Sequence, residues 1–323
     1  MISTFVTVMS FCRQYTGYME NNELRQTIAD FGLGDIANKL CQLALPAITV
    51  KTSDDEPEFG YSRLGGIPDL PETIQWPQKD GEHYLFVGQI NLSELPQAIP
   101  DFPQTGWLFF FVGLDEPAYD VEHKVFHYEG RLDDLRPVSP PTEESVNPDY
   151  GKVFTPVKLT FGTATSIPDL SEDPSYDDYY DDLCQLQQEL IFPGECRLFG
   201  YPETWNGNPA VDAQLCANGF KEHIFDTHKS LADAEKEVSE SLENGDEGII
   251  EYRKKWFESF KGFVKEKDEQ IAQAKNWQVL FQVSSVDEAN MCWWDAGLLT
   301  FMIDTTHLKK GDFYHTYACI QSS

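Results

Sequence analysis

Positive charge is scarce in this sequence: 24 Lys and Arg stand against 54 Asp and Glu, a formal net charge of −30 over 323 residues. So negative a field repels phosphate backbones and anionic lipid headgroups, which argues against nucleic acid and membrane surfaces as partners. Cysteine is sparse as well. Seven cysteines, at positions 12, 41, 184, 196, 216, 292 and 319, are scattered, odd in number and without a Cys-x-x-Cys pair, and they read as reduced, mostly buried thiols of a cytoplasmic protein. The opening "MISTFVTVMSF" has no basic leader and is too short to span a bilayer. Residues 1–18 are expected to form a frayed extension, and a start at Met19 would cost no recognisable element. Several reaction centres are missing outright: there is no Gly-x-Ser-x-Gly elbow, no phosphate-binding Gly-x-x-x-x-Gly-Lys loop and no His-Glu-x-x-His helix.

Apolar material is plentiful, with 41% hydrophobic and 13% aromatic residues, enough to fill a real core. Between Glu20 and Leu45, Leu24, Ile28, Phe31, Ile36, Leu40 and Leu43 recur at helical spacing around "FGLGD", which predicts two short helices. "GLGDIA" (32–37) matches a loose dinucleotide fingerprint, but "RQTIADF" before it is too polar for the required buried strand, so a helix-capping glycine is the better account. "AITVK", "HYLFVGQI", "GWLFFFVG", "HKVFHY" and "VKLTFG" then read as short strands joined by loops, which favours antiparallel pairing. The seven carboxylates between Asp169 and Asp182 lack the alternate spacing of a calcium loop and suit the first turns of a helix starting near Pro174. From Phe220 to Trp277 the texture is helical. Ser230 and Asp233 form a capping pair, Asn244-Gly245 marks a stop, and Ile249, Tyr252, Trp256, Phe260 and Phe263 lie on one stripe of a second helix. This is an αα-hairpin whose stripe packs on its own protein or meets a partner. Strands return at "WQVLFQVSS", "LLTFMID" and "YHTYACI".

The stiff stretch "RLGGIPDLPETIQWP" (63–77) suits neither helix nor strand, and it has a counterpart. Leu64, Gly66 and Pro68 precede a strand containing Gln89 and then, at Gly106, an aromatic strand. Leu198, Gly200 and Pro202 precede a strand containing Gln282 and then, at Gly297, another. The common order predicts an internal duplication whose second copy is lengthened by the helical hairpin. The expected fold is α+β and β-rich: two antiparallel modules, about 46–165 and 195–323, with a helical insertion at 228–275, all within one domain spanning 19–323.

"LGGIPDLPETIQWP", "VGQINLSELP", "GWLFFF", "LFGYPE" and "CWWDAGLLTFMI" together resemble the YwqG-like proteins, a bacterial family of unknown function. The resemblance implies a β-rich, mainly antiparallel, β-roll type of fold in the cytosol and supplies no activity. Where that family carries a glycine between tryptophan and aspartate, this chain has Trp294, and a less tight turn is expected there.

Candidate functional residues are few. Gln89 and Asn91, with Gln282, end their strands in amides that either satisfy turn backbone or line a cleft shared by the modules. Asp295 follows Trp293 and Trp294, so it is either a general acid beside indoles or an Asx-turn acceptor before Gly297. His307 and His315 are near in sequence, but no spacing brings either to Asp295. His123 and His127 fall in a strand, where four residues span about 13 Å, too far to share one ion. No metal or cofactor is expected. The reading that follows is a non-enzymatic binding or regulatory protein, using an acidic surface and an inter-module cleft for a peptide, a protein or a small ligand. The rival is a hydrolase using Asp295 with a second carboxylate or a histidine, and a third possibility is an assembly held through the hairpin.

Overall fold

The computed structural model describes residues 21–96, 99, 102–170, 173–192 and 194–322. The expectation for residues 1–18 lies outside them. The chain forms two compact units: one runs to Gly207 and resumes at Gln278, and the other is Asn208–Trp277.

The first unit is built on a ten-stranded antiparallel sheet nearly closed into a barrel. Its strands are β1 (Leu45–Ser53), β2 (Arg63–Leu64), β3 (Leu85–Asn91), β4 (Trp107–Val112), β5 (His123–Tyr128), β6 (Val157–Ser166), β7 (Cys196–Leu198), β8 (Trp277–Ser284), β9 (Leu298–Asp304) and β10 (Thr316–Gln321). They lie in the order β10-β9-β8-β7-β1-β6-β2-β3-β4-β5. The long β1–β6 pair, Leu45↔Ser166 to Ser53↔Lys158, occupies the middle. From it the sheet runs outward in the same way on both sides: a short strand, then three longer ones. The approach to β5 closes against β10, where Ile320 N donates to Ala118 O at 2.7 Å and Val121 N to Ala318 O at 2.8 Å. His123 Nε2 lies 2.9 Å from Thr316 Oγ1 at that seam, and burial pushes its imidazole pKa down.

β4 is buried along its whole length, a continuous apolar run in place of an alternating one, because both of its faces are covered. Leu108, Phe110 and Val112 enter the main core with Leu299, Phe301 and Ile303 of β9. Trp107, Phe109 and Phe111 pack on the other face with Leu70, Trp76 and Leu135. Covering that face is the task of the stiff 63–77 stretch. Gly66 takes φ +71 where a Cβ would lie 2.8 Å from Pro156 Cβ, so only glycine allows the chain to leave β2 there. The chain then runs through Asp69–Pro71, which pairs antiparallel with Leu135–Pro137.

Helices α1 (Asn21–Asp30), α2 (Ala37–Leu43) and α3 (Tyr180–Leu190) share a smaller core of Leu24, Ile28, Leu40, Leu183 and Leu186. Gly32 ends α1 at φ +78, with Leu33 N returning to Ile28 O at 3.2 Å, so the "GLGDIA" stretch is a helix cap. The acidic run begins with a 3-10 turn, Pro174–Tyr179, capped by Asp173, and leads into α3.

The second unit contains α4 (Pro209–Ala217) and the antiparallel pair α5 (Leu231–Asn244) and α6 (Glu247–Gln273). The Ser230–Asp233 capping box forms, with Asp233 N at 3.2 Å from Ser230 Oγ and Ser230 N at 3.0 Å from Asp233 Oδ2. Trp256, Phe260 and Phe263 are buried within this unit, whereas Ile249 and Tyr252 on the same stripe are exposed.

Of the six described cysteines, all free thiols, only Cys196 and Cys319 are buried; Cys292 is exposed and the others are partly so. The expectation of mostly buried thiols is corrected, since Cys41, Cys184 and Cys216 sit on helices and are only partly buried.

Candidate functional site

Arg63 and Arg197 lie on the two short strands β2 and β7 and meet the two glutamines across the sheet: Arg63 pairs with Gln89 and Arg197 with Gln282. Six residues after each arginine comes an acid. Arg63 Nη1 donates to Asp69 Oδ2 at 2.8 Å, and Arg197 Nη2 donates to Glu203 Oε2 at 2.9 Å. Each glutamine accepts the acid's own backbone N–H, Asp69 N on Gln89 Oε1 at 2.9 Å and Glu203 N on Gln282 Oε1 at 3.1 Å. Each acid also accepts from a glycine nine residues earlier, Gly60 N at 2.8 Å and Gly194 N at 2.9 Å. Even Ser62 and Cys196 match, accepting from Asn91 N and Ser284 N. "GYSRLGGIPD" and "GECRLFGYPE" thus fold into the same nest, and Phe199 adopts the φ of +63 that Gly65 supplies at +59.

The nests differ in one consequential way. In the first, Gln89 Nε2 donates to Tyr61 O at 2.9 Å and to Asp69 Oδ2 at 3.0 Å, and Arg63 also donates to Ile67 O. In the second, Gln282 Nε2 and Arg197 Nε are buried without a hydrogen-bond partner among the described residues. Asp69 Oδ2 takes both the arginine and the glutamine amide, whereas Glu203, one methylene longer, takes Arg197 on Oε2 and Trp205 Nε1 on Oε1 at 2.6 Å but not the Gln282 amide. Buried donors left unmatched cost roughly 1–3 kcal/mol each, so the second nest carries a standing demand for an acceptor.

A cavity of about 220 Å³ opens on this second nest, lined among others by Arg197, Tyr201, Glu203, Trp205, Asp169 and Gln187. α3 forms one wall, the end of β6 the floor, and the segment after β7 the other wall. Burial pulls the Arg197 guanidinium pKa down while the Glu203 and Glu195 carboxylates pull it up. The pocket therefore offers a cationic donor, carboxylate acceptors and an indole face, suited to a small polar molecule.

The remaining sequence candidates fall elsewhere. Four strands separate Gln282 on β8 from Gln89 on β3, so the structure does not bring the two amides into one cleft. Asn91 caps the following turn, accepting from Ser93 N at 3.1 Å and donating to Gly60 O at 2.9 Å. Trp293 is fully buried and donates to Ser284 O at 3.2 Å. Trp294 is half-exposed and donates to Asp115 Oδ2 at 3.0 Å, which also accepts from Tyr150 at 2.9 Å. Burial and the Asp115 charge push the Tyr150 phenol far up. Asp295 is exposed and has no hydrogen bond among the described residues, so it is not the acceptor of this turn. Gly297 N instead closes on Trp293 O at 2.7 Å. The looser turn expected from Trp294 is corrected: it is tight, with Trp294 at φ +52 and Ala296 at φ +54. Two L-residues held left-handed store strain, and Ala296→Gly is expected to raise stability by about 0.5–1 kcal/mol in urea denaturation.

His307 and His315 face Asp312, at 3.0 and 2.8 Å, and not Asp295. A Ser–His–Asp series also occurs in the second unit: His223 lies 2.9 Å from Ser259 Oγ and 3.1 Å from Asp226 Oδ2. Ser259 is also bonded to Glu222 and sits mid-way along α6, where backbone N–H groups are committed to the helix and unavailable as oxyanion donors. This network pins α6 to the 221–226 turn.

Sequence reasoning singles out the glutamines but passes over Arg197 and Glu203. The signal was present as Arg-Leu-x-Gly-x-Pro-acid, repeated 134 residues later.

A β-rich barrel with a helical second unit and a nest-and-cavity site defines a class of protein by architecture alone, without an established chemistry. The family model for DUF1963, a domain of unknown function, matches residues 62–321, and the chain belongs to that family. No curated protein matches it. Among the described residues, no helix is long and apolar enough to cross a membrane.

Proposed function

We propose that this is a non-enzymatic binding or regulatory protein whose ligand enters the cavity beside Arg197 and presents a carbonyl or carboxylate oxygen to the Arg197 guanidinium. The observation that carries this reading is the contrast between two otherwise matched nests: Gln89 Nε2 of the first donates to two oxygens, whereas among the described residues Arg197 Nε and Gln282 Nε2 of the second have no partner, and Arg197 lines the cavity. The cavity's size and its Trp205 wall favour an amino acid, a small carboxylate or the end of a peptide. A cytosolic setting, with the acidic surface keeping the protein apart from nucleic acid and lipid, agrees with the charge balance.

The paired nests and the mirrored strand order support an origin by internal duplication, and the quoted motifs support a YwqG-like assignment within the family. In this reading the first copy keeps its nest as a structural clamp, and the second, with a longer acid, serves as the receptor. The hydrolase reading has less behind it, because Asp295 is exposed and no described histidine or carboxylate is bonded to it.

The test is a thermal-shift screen of the whole chain against free amino acids, dipeptides and small carboxylates, followed by calorimetry on any hit. One chemical class should raise the midpoint of the wild type. Arg197→Met should lose that shift, and Asp295→Asn should keep it without any turnover of the ligand. A shift retained by Arg197→Met, or none with any compound, overturns the proposal.

A further inference from the structure

The connection between β9 and β10 carries a group of side chains that the cavity does not use. Asp304 caps the one-turn helix α7 (Thr305–Lys309), accepting from Thr306 N at 2.7 Å, and Gly311 at φ +65 reverses the chain. The reversal is fixed by Asp312 N donating to His307 O at 3.0 Å, which brings Asp312 back beside the helix. His315, three residues on, then stacks on His307 with ring centroids 4.4 Å apart and planes 24° apart. Both Nδ1 atoms point at a single oxygen, Asp312 Oδ2, at 3.0 and 2.8 Å, and the three potential ligand atoms lie within 4.8 Å of one another.

We propose that His307, Asp312 and His315 form a binding site for a late divalent transition metal, best suited to Zn²⁺, with one coordination position left open. The donor set is decisive. Two imidazole nitrogens and one carboxylate oxygen match zinc sites with three protein ligands and a water, whereas Mg²⁺ and Ca²⁺ require a shell of oxygens and find one carboxylate here. The spacing is close to what such an ion needs: ligands at about 2.0–2.1 Å in a tetrahedron stand about 3.3 Å apart. The two nitrogen–oxygen separations would open by a few tenths of an ångström, and the stacked imidazoles would have to turn so that both nitrogens aim at one ion, a rotation open to side chains that are partly exposed. The backbone bond from Asp312 N to His307 O holds the first two ligands together before any ion arrives. The metal would replace the hydrogen bonds that now converge on Asp312 Oδ2. The remaining oxygen, Oδ1, lies 3.3 Å from Tyr314 N, which orients the carboxylate from behind.

The experiment is calorimetric titration of the full chain with Zn²⁺ and separately with Mg²⁺, with Co²⁺ as a spectroscopic probe of ligand type. One equivalent of Zn²⁺ is expected to bind at micromolar concentration, with no comparable binding of Mg²⁺ and no thiolate charge-transfer band for bound Co²⁺. His315→Ala and Asp312→Asn should each weaken Zn²⁺ at least about tenfold, because each removes one of three ligands. Cys292→Ser, at the exposed thiol, should leave it unchanged. His315 is the most exposed of the three, so its replacement leaves the fold intact, as circular dichroism would verify. Absence of one-equivalent Zn²⁺ binding, unchanged affinity in both ligand variants, equal binding of Mg²⁺ or a thiolate band would each overturn the assignment.

Discussion

Arg63→Met is expected to destabilise the protein by about 3–5 kcal/mol, one of the largest costs of any single substitution in the chain. Asp69 is 2% exposed, and its carboxylate is held by Arg63, Gly60 N and Gln89 Nε2. Without the guanidinium, two neutral donors remain around a buried negative charge, and its desolvation is no longer offset. The effect extends beyond the pair, because Asp69 starts the short strand that holds Leu70 and Trp76 over Phe109 and Phe111. The matched change, Arg197→Met, should cost only about 1–2 kcal/mol, since Glu203 borders the cavity and water can reach it. Urea denaturation of the two variants measures the difference. Equal losses would mean that the two nests do the same work, against the division into clamp and receptor.

The second unit should lose stability as pH rises from about 4 to 7, a direction opposite to the usual carboxylate behaviour. Burial pushes the Asp212 carboxyl up to about 7. A group raised in this way favours the folded state while it is protonated, so its contribution is complete below the unfolded value of about 3.9 and is lost as pH climbs through 7. Asp212 is still partly accessible, so a loss of about 2–4 kcal/mol is expected over that interval. Asp212→Asn should flatten the profile and stabilise the unit at neutral pH. Asp226 acts at the other end. Burial works to raise its carboxyl, but bonds from His223, Lys229 and Trp256 outweigh it and hold it low, so its contribution disappears only as pH falls below about 3.8. Hydrogen exchange of α4 amides at pH 4, 5.5 and 7 distinguishes the two groups. Identical pH profiles for wild type and Asp212→Asn would refute the role of Asp212.

Strands His123–Tyr128 and Leu298–Asp304 match the sequence reading to the residue, because turn residues bound runs rich in β-branched and aromatic side chains. The hairpin α5–α6 is legible for a similar reason: Ser230–Asp233 and Asn244-Gly245-Asp246 mark its ends within a few residues. Helix α4 escapes notice because "PAVDAQLCA" is short and apolar with hardly a one-sided stripe. Its signal is Asn208, whose side chain accepts from Ala210 N, followed by Pro209 at the first helical position.

The candidate sites divide along the same line. Local chemistry in the chain was enough to set the strands, the capped helices, the glycine turns and the acidic charge, since each depends on neighbours a few residues away. Strand order alone decided that Gln89 and Gln282 lie in separate nests, and side-chain packing alone left Arg197 with an unmatched nitrogen. The convergence of His307 and His315 on one oxygen of Asp312 likewise depends on how the chain reverses at Gly311. Hydrogen-bond satisfaction is a property of groups gathered from distant parts of the chain, and it exists only after the barrel has brought them within about 3 Å of one another.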